Sequence, residues 1–139
     1  MQIQDVMTAD VSYVTPDTPI LEIARKMRDA DIGSTPVIEE ERLIGMVTDR
    51  DIVVRAIADG GDIRLMTARD AMSPGIFYCF ADDTVETVLD NMGDRQIRRL
   101  PVVNREKRLV GVVSLGDLSL TGKNKAAGEA LLEISQPGH

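Results

Sequence analysis

The chain has 139 residues, 43% of them hydrophobic, enough to build the core of one compact domain. Its 16 basic and 23 acidic side chains leave a net charge of -7, which sets the molecule against nucleic-acid phosphates and anionic membranes, and no apolar run approaches the roughly 18 residues of a membrane span. A single cysteine, Cys79, and a single histidine, His139, exclude a disulfide framework and a multi-thiolate or paired-histidine metal site; with an N-terminus unlike a secretory signal, they predict a cytoplasmic protein.

In chain order, the first predicted element is a short apolar strand, Val11 to Val14. A helix follows, with Thr18 as N-cap, Pro19 at the first helical position, and Ile20, Ile23, Ala24 and Met27 on one face. Pro36 to Ile38 and Leu43 to Val47 read as two strands of a hairpin around a charged turn. The next helix starts near Thr48, carries Ile52, Val53, Ala56 and Ile57, and stops at Gly60-Gly61. The same order then returns. Ile76 to Phe80 is a strand, Asp83 and Glu86 stand at capping-box spacing before Val85, Val88, Leu89 and Met92, and Pro101 to Val103 and Leu109 to Val113 make a second hairpin. Ala127, Ala130, Leu131 and Ile134 predict a closing amphipathic helix.

The return is a duplication. A shift of 65 positions lays Asp5, Met7, Asp17, Met27, Asp29, Ile32, Pro36, Val37 and Glu41 on identical residues from Asp70 to Glu106. One further residue in the second copy moves the shift to 66, and Arg42, Leu43, Gly45, Val47 and Asp51 fall on Arg108, Leu109, Gly111, Val113 and Asp117.

The most informative segments are Gly45 to Asp51 and Gly111 to Asp117. Each sets a hydroxyl, Thr48 or Ser114, three residues before a carboxylate, Asp51 or Asp117, at a strand-to-helix corner. That spacing is a capping box, and capping alone would account for it. It also suits a ligand: amides and hydroxyl for phosphate oxygens, a carboxylate for two ribose hydroxyls, a glycine for close approach, and Met46 or Val112 as an apolar surface for a base. No P-loop, no GxGxxG run and no nucleophile with an evident base is present, so catalytic and metal residues are expected to be none; Asp49 and Asp51 fit a helix start better than a magnesium site.

A unit of Pro-Val, Gly-hydrophobic-Val, Thr or Ser, and Asp three later, present twice over about residues 3 to 120, resembles the CBS family. The resemblance implies an α/β (α+β) fold of two pseudo-twofold-related repeats, each a small β-sheet flanked by helices. The expected division is a first motif at 1–60, a linker at 61–68, a second motif at 69–122 and a C-terminal amphipathic helix at 123–139. It further implies an adenine-nucleotide-binding regulatory module in energy sensing, with AMP, ADP, ATP or S-adenosylmethionine as ligand, no cofactor and no catalysis. A homodimer and a separate effector protein are the implied partners, with neither nucleic acid nor membrane. The alternative is a ligand-free dimerisation scaffold.

By position, the resemblance makes Asp51 and Asp117 ribose ligands, places Thr48 and Ser114 near phosphate and Met46 and Val112 beside the base. It adds Phe77 or Tyr78 to the Asp51 cleft, and Val11 or Ser12 with Ile32 to the Asp117 cleft. Arg98 and Arg99 supply cations for phosphate where the first copy has Gly33 and Ser34, so unequal occupancy is expected. Strand alternation would turn one arginine inward and the other out. Arg50, between two aspartates, is expected to pair with them.

Overall fold

The structure, a computed structural model, describes residues 1–73, 76–95, 97–119 and 134. The duplication folds into two compact units, each with its own core. One holds Ser12–Ile76; the other joins Met1–Val11 to the described residues from Phe77 onward.

In the unit of residues 12–76, α1 (Ile20–Ala30) buries Ile20, Ile23 and Met27, the positions its helical spacing marks as apolar. It ends at Asp31 in the left-handed region, a conformation aspartate tolerates. β1 (Ser34–Glu39) and β2 (Arg42–Thr48) pair antiparallel, from Ser34 opposite Thr48 to Glu39 opposite Arg42. Pro36 has no amide to give, and its carbonyl accepts from Val14 at 3.0 Å. α2 (Asp49–Asp51) widens at once into a π-helical turn, Ile52–Ile57, where the Ala58 amide donates to the Val53 carbonyl at 2.9 Å. Gly60, at φ +77°, ends it. A short α3 (Ala68–Ala71) completes the core of Val14, Val37, Val47, Ile52, Ala56, Ala68 and Ala71 around α1.

The second unit follows the same plan. β3 (Cys79–Phe80) runs parallel to β4 (Arg99–Val103), which pairs antiparallel with β5 (Leu109–Ser114). α4 (Val85–Arg95) lays Val85, Val88, Leu89 and Met92 against Val102, Val113 and the buried Leu118 of α5 (Leu115–Ser119).

Several expected elements differ. Val11 to Val14 contributes only a single bridge, Val14 to Val37, and Ile76 to Phe80 only Cys79–Phe80, which pairs with Val102 and Val103. Thr18 does not cap α1: its hydroxyl accepts from the Thr15 amide at 3.0 Å, and Pro19 occupies the cap. The Asp83 carboxylate accepts from the Phe80 amide, while Thr84 accepts from the Thr87 amide at the start of α4. Val53 and Ile57 are exposed, since the π turn rotates them off the face that buries Ile52 and Ala56. The helix expected over 123–139 lies outside the described residues except for Ile134, which is helical and buried.

The compact units also cut across the linear division at residues 61–68. The N-terminal segment adds to the second hairpin, with Thr8 and Val112 exchanging both backbone bonds at 2.9 Å, and residues 66–73 add to the first, with Met46 and Ser73 exchanging bonds of 3.2 and 2.9 Å. This explains two of the sequence identities. Asp5 and Asp70 each accept from the amide three residues earlier, Gln2 and Thr67, at 2.9 Å. Met7 and Met72 lie over Gly111 and Gly45.

Candidate functional site

Two strand-to-helix corners are the candidate site, and each is closed by its own capping box. In the first, the Thr48 amide donates to Asp51 Oδ2 at 2.9 Å and the Asp51 amide donates to Thr48 Oγ1 at 3.0 Å. In the second, the Ser114 amide donates to Asp117 Oδ2 at 3.0 Å and the Asp117 amide to Ser114 Oγ at 3.1 Å. The capping expectation is met twice over. One carboxylate oxygen of each aspartate remains outside its box.

The remaining oxygens differ. Asp51 Oδ1 faces Arg55 Nε at 3.9 Å, and the same guanidinium donates from Nη1 to the Met72 carbonyl at 3.1 Å. Asp51 is only 13% exposed at its side chain, so Arg55 ties the corner to the chain crossing β2. Asp117 Oδ1 makes no such pair among the described residues. Sequence reasoning passed over Arg55, although its i,i+4 spacing from Asp51 was a readable signal. Attention went instead to Arg50, whose amide, not its guanidinium, bonds Asp49 Oδ1 at 2.8 Å. Its side chain forms no ion pair among the described residues, contrary to expectation.

The glycines of the corners serve the protein itself. A Cβ on Gly111 would lie 2.6 Å from Met7 Sδ and 2.8 Å from the Thr8 carbonyl; on Gly45 it would lie 3.1 Å from both Met72 Sδ and the Ser73 carbonyl. The close approach read as room for a ligand is therefore taken by the crossing segments. Met46 and Val112 are half-buried on the strand face that also carries Thr48 or Ser114.

Thr48, Asp51, Met46, Ser12 and Ile32 belong to the unit of residues 12–76, and Ser114, Asp117, Val112, Val11, Phe77, Tyr78, Arg98 and Arg99 to the other. Arg98 and Arg99 join their corner through the backbone: the Leu115 amide donates to the Arg98 carbonyl at 2.8 Å, and Arg99 pairs with Ser114 in the sheet. Both arginines are exposed, not one in and one out, because Arg98 precedes β4 and escapes its alternation. Phe77 carries Arg95 over its ring at 4.2 Å, and Tyr78 carries Lys107 at 5.4 Å; neither cation was singled out in the sequence.

Among the described residues no group of three His, Cys, Asp or Glu side chains could hold a metal ion, and no helix is long and apolar enough to cross a membrane. The only cysteine is buried, and loss of solvent, with the Asp83 charge as a lesser cause, pushes its thiol up to about 12.

Two hairpins with repeated capped corners define a tandem-repeat α/β fold, and the family model for the CBS domain matches residues 3–57 and 68–120. The chain belongs to the CBS domain family. It is similar to the uncharacterized protein YlbB of Bacillus subtilis, 43% identical across 97% of this chain and 92% of that protein. It is also similar to the crystal structure of Hypoxic Response Protein I with two coordinated zinc ions, 36% identical with a TM-score of 0.78 over 86% of this chain and 98% of that one. The fold matches the crystal structure of CBSX2 in complex with AMP at a TM-score of 0.76 and 21% identity, covering 89% of this chain and 97% of that one.

Proposed function

We propose that the chain is a cytoplasmic regulatory module that binds an adenine nucleotide at its strand-to-helix corners and does no chemistry on it. The observation that carries the reading is the repeated corner, in which the fold fixes a hydroxyl and a carboxylate and leaves one oxygen of Asp117 unused among the described residues. A carboxylate held by one backbone amide still has acceptor sites for two sugar hydroxyls. AMP in the CBSX2 structure supports the ligand class. A homodimer that passes the ligand's effect to a separate effector completes the reading; the ligand would need unequal affinity for two states of that assembly.

One observation favours the alternative of a ligand-free scaffold. Both boxes close without help, and Met7 and Met72 already occupy the approach over the glycines. Thermal and urea unfolding with AMP, ADP, ATP and S-adenosylmethionine separates the two. Binding raises stability by about 2.7 kcal/mol at a hundredfold excess over the dissociation constant. Unmoved transitions with all four compounds would remove the nucleotide reading and leave the scaffold.

A further inference from the structure

The corners share a hydroxyl and a carboxylate, but the charges beside them are exchanged. In the unit of residues 12–76, the Asp49 amide donates to the Gly33 carbonyl at 2.9 Å. The Asp49 side chain then lies over the strand entry, with Oδ2 only 3.3 Å from where a Cβ on Gly33 would stand. In the other unit the same backbone bond joins Leu115 to Arg98 at 2.8 Å. Leu115 thus replaces the carboxylate, and Arg98 replaces the glycine. Two backbone-bonded positions change together, from an aspartate over a glycine to a leucine bonded to an exposed arginine.

One further difference runs the same way, and two others are cations of the first repeat alone. Arg99 stands opposite Ser114 where Ser34 stands opposite Thr48. Arg55, which the duplication aligns with Thr121 in sequence, is taken up by the Asp51 carboxylate and the Met72 carbonyl. Arg50, replaced by Gly116 in the second repeat, offsets Asp49 in number but not in place, since Asp49 Oδ2 is the atom over Gly33.

We propose that the pairs Gly33/Asp49 and Arg98/Leu115 set the charge of the tail each corner accepts. The Ser114–Asp117 corner takes phosphorylated adenosine, and the Thr48–Asp51 corner takes an adenosine derivative without phosphate. The inference rests on the adenosine-binding reading and adds a selectivity to it. Sugar and base contacts come from residue types common to both corners, so they cannot discriminate tails. A carboxylate within a few ångströms of a phosphate repels it and a guanidinium attracts it, a difference worth roughly tenfold or more in binding.

The test is calorimetric titration with adenosine and AMP in EDTA, which keeps divalent cations from bridging carboxylate and phosphate. Each corner is read alone by Asn replacement of the other aspartate, Asp51→Asn or Asp117→Asn, since an amide oxygen can still accept the capping bond. With only the Ser114–Asp117 corner intact, AMP is expected to bind at least tenfold tighter than adenosine, and Arg98→Gly with Leu115→Asp to erase that ratio. With only the other corner intact, adenosine is expected to bind tighter, and Gly33→Arg with Asp49→Leu to reverse the order. Asp49→Asn, which removes charge with little change of shape, should move the ratio the same way should the double variant fail to fold. Ratios unchanged within twofold by these substitutions overturn the selectivity. Absence of binding by both compounds to the unaltered chain overturns instead the adenosine reading on which it rests.

Discussion

Met72 in one unit and Met7 in the other make the same contact, but not with the same margin. The sulfur of Met72 leaves 3.1 Å to a Cβ on Gly45, and that of Met7 leaves 2.6 Å to one on Gly111. The backbone carbonyl behind it stands at 3.1 Å in the first case and 2.8 Å in the second. Where the crossing segment presses on the hairpin, both repeats keep glycine. At the corner entry, exposed Gly33 has become exposed Arg98, and exposed Asp49 has become Leu115, which packs against the core of its unit. Backbone crowding constrains residue choice; an exposed position leaves charge free to diverge.

The difference in margin gives the largest expected effect. Gly111→Ala should cost about 3 kcal/mol in urea unfolding and Gly45→Ala about 1 kcal/mol, because a carbonyl cannot yield as a methionine tip can. Equal costs would mean that the two crossings are equally tight.

Next comes a buried hydroxyl found, among the described residues, in one unit only. Thr35 is 0% exposed and its Oγ1 has no hydrogen-bond partner, whereas its repeat counterpart is the apolar Leu100. Thr35→Val keeps the shape and removes the unsatisfied group, so the midpoint of unfolding should rise, by about 1.5 kcal/mol. A loss of stability would show that the hydroxyl has a partner after all.

A comparable effect, confined to alkaline pH, follows from Cys79, whose counterpart is Val14. The thiol titrates near 9.0 in the unfolded chain and about 12 in the folded one. Between those values the unfolded state holds fewer protons, so stability is full below pH 9 and falls as pH rises toward 12. At pH 10 the loss should be about 1.4 kcal/mol, and Cys79→Val should flatten the profile. A slope that survives the substitution would place the titration elsewhere.

Both hairpins and both capping boxes were legible because each is local: the residues that close them lie within a few positions of one another. Asp51 and Asp117 could be named for the same reason. Asp5, Asp70, Met7 and Met72 were visible as identities, but their work was not, since it depends on which strand they cross. Val53 and Ile57 were misplaced because an i,i+3,i+4 pattern assumes an α-helix, and the chain turns π after Asp51. Arg55 escaped notice because its second partner, the Met72 carbonyl, is a backbone atom that no side-chain pattern announces.

The crossing segments also impose an order of assembly. Residues 12–76 form a continuous stretch and can close their core as soon as Ser73 has emerged from synthesis. Residues 1–11 have no such freedom: Ile3 must wait for Asp83, and Thr8 for Val112, before its amide finds an acceptor. Such long-range closure is slow. Residues 1–11 are therefore made before their partners yet are among the last to settle, and until then their backbone groups turn to water.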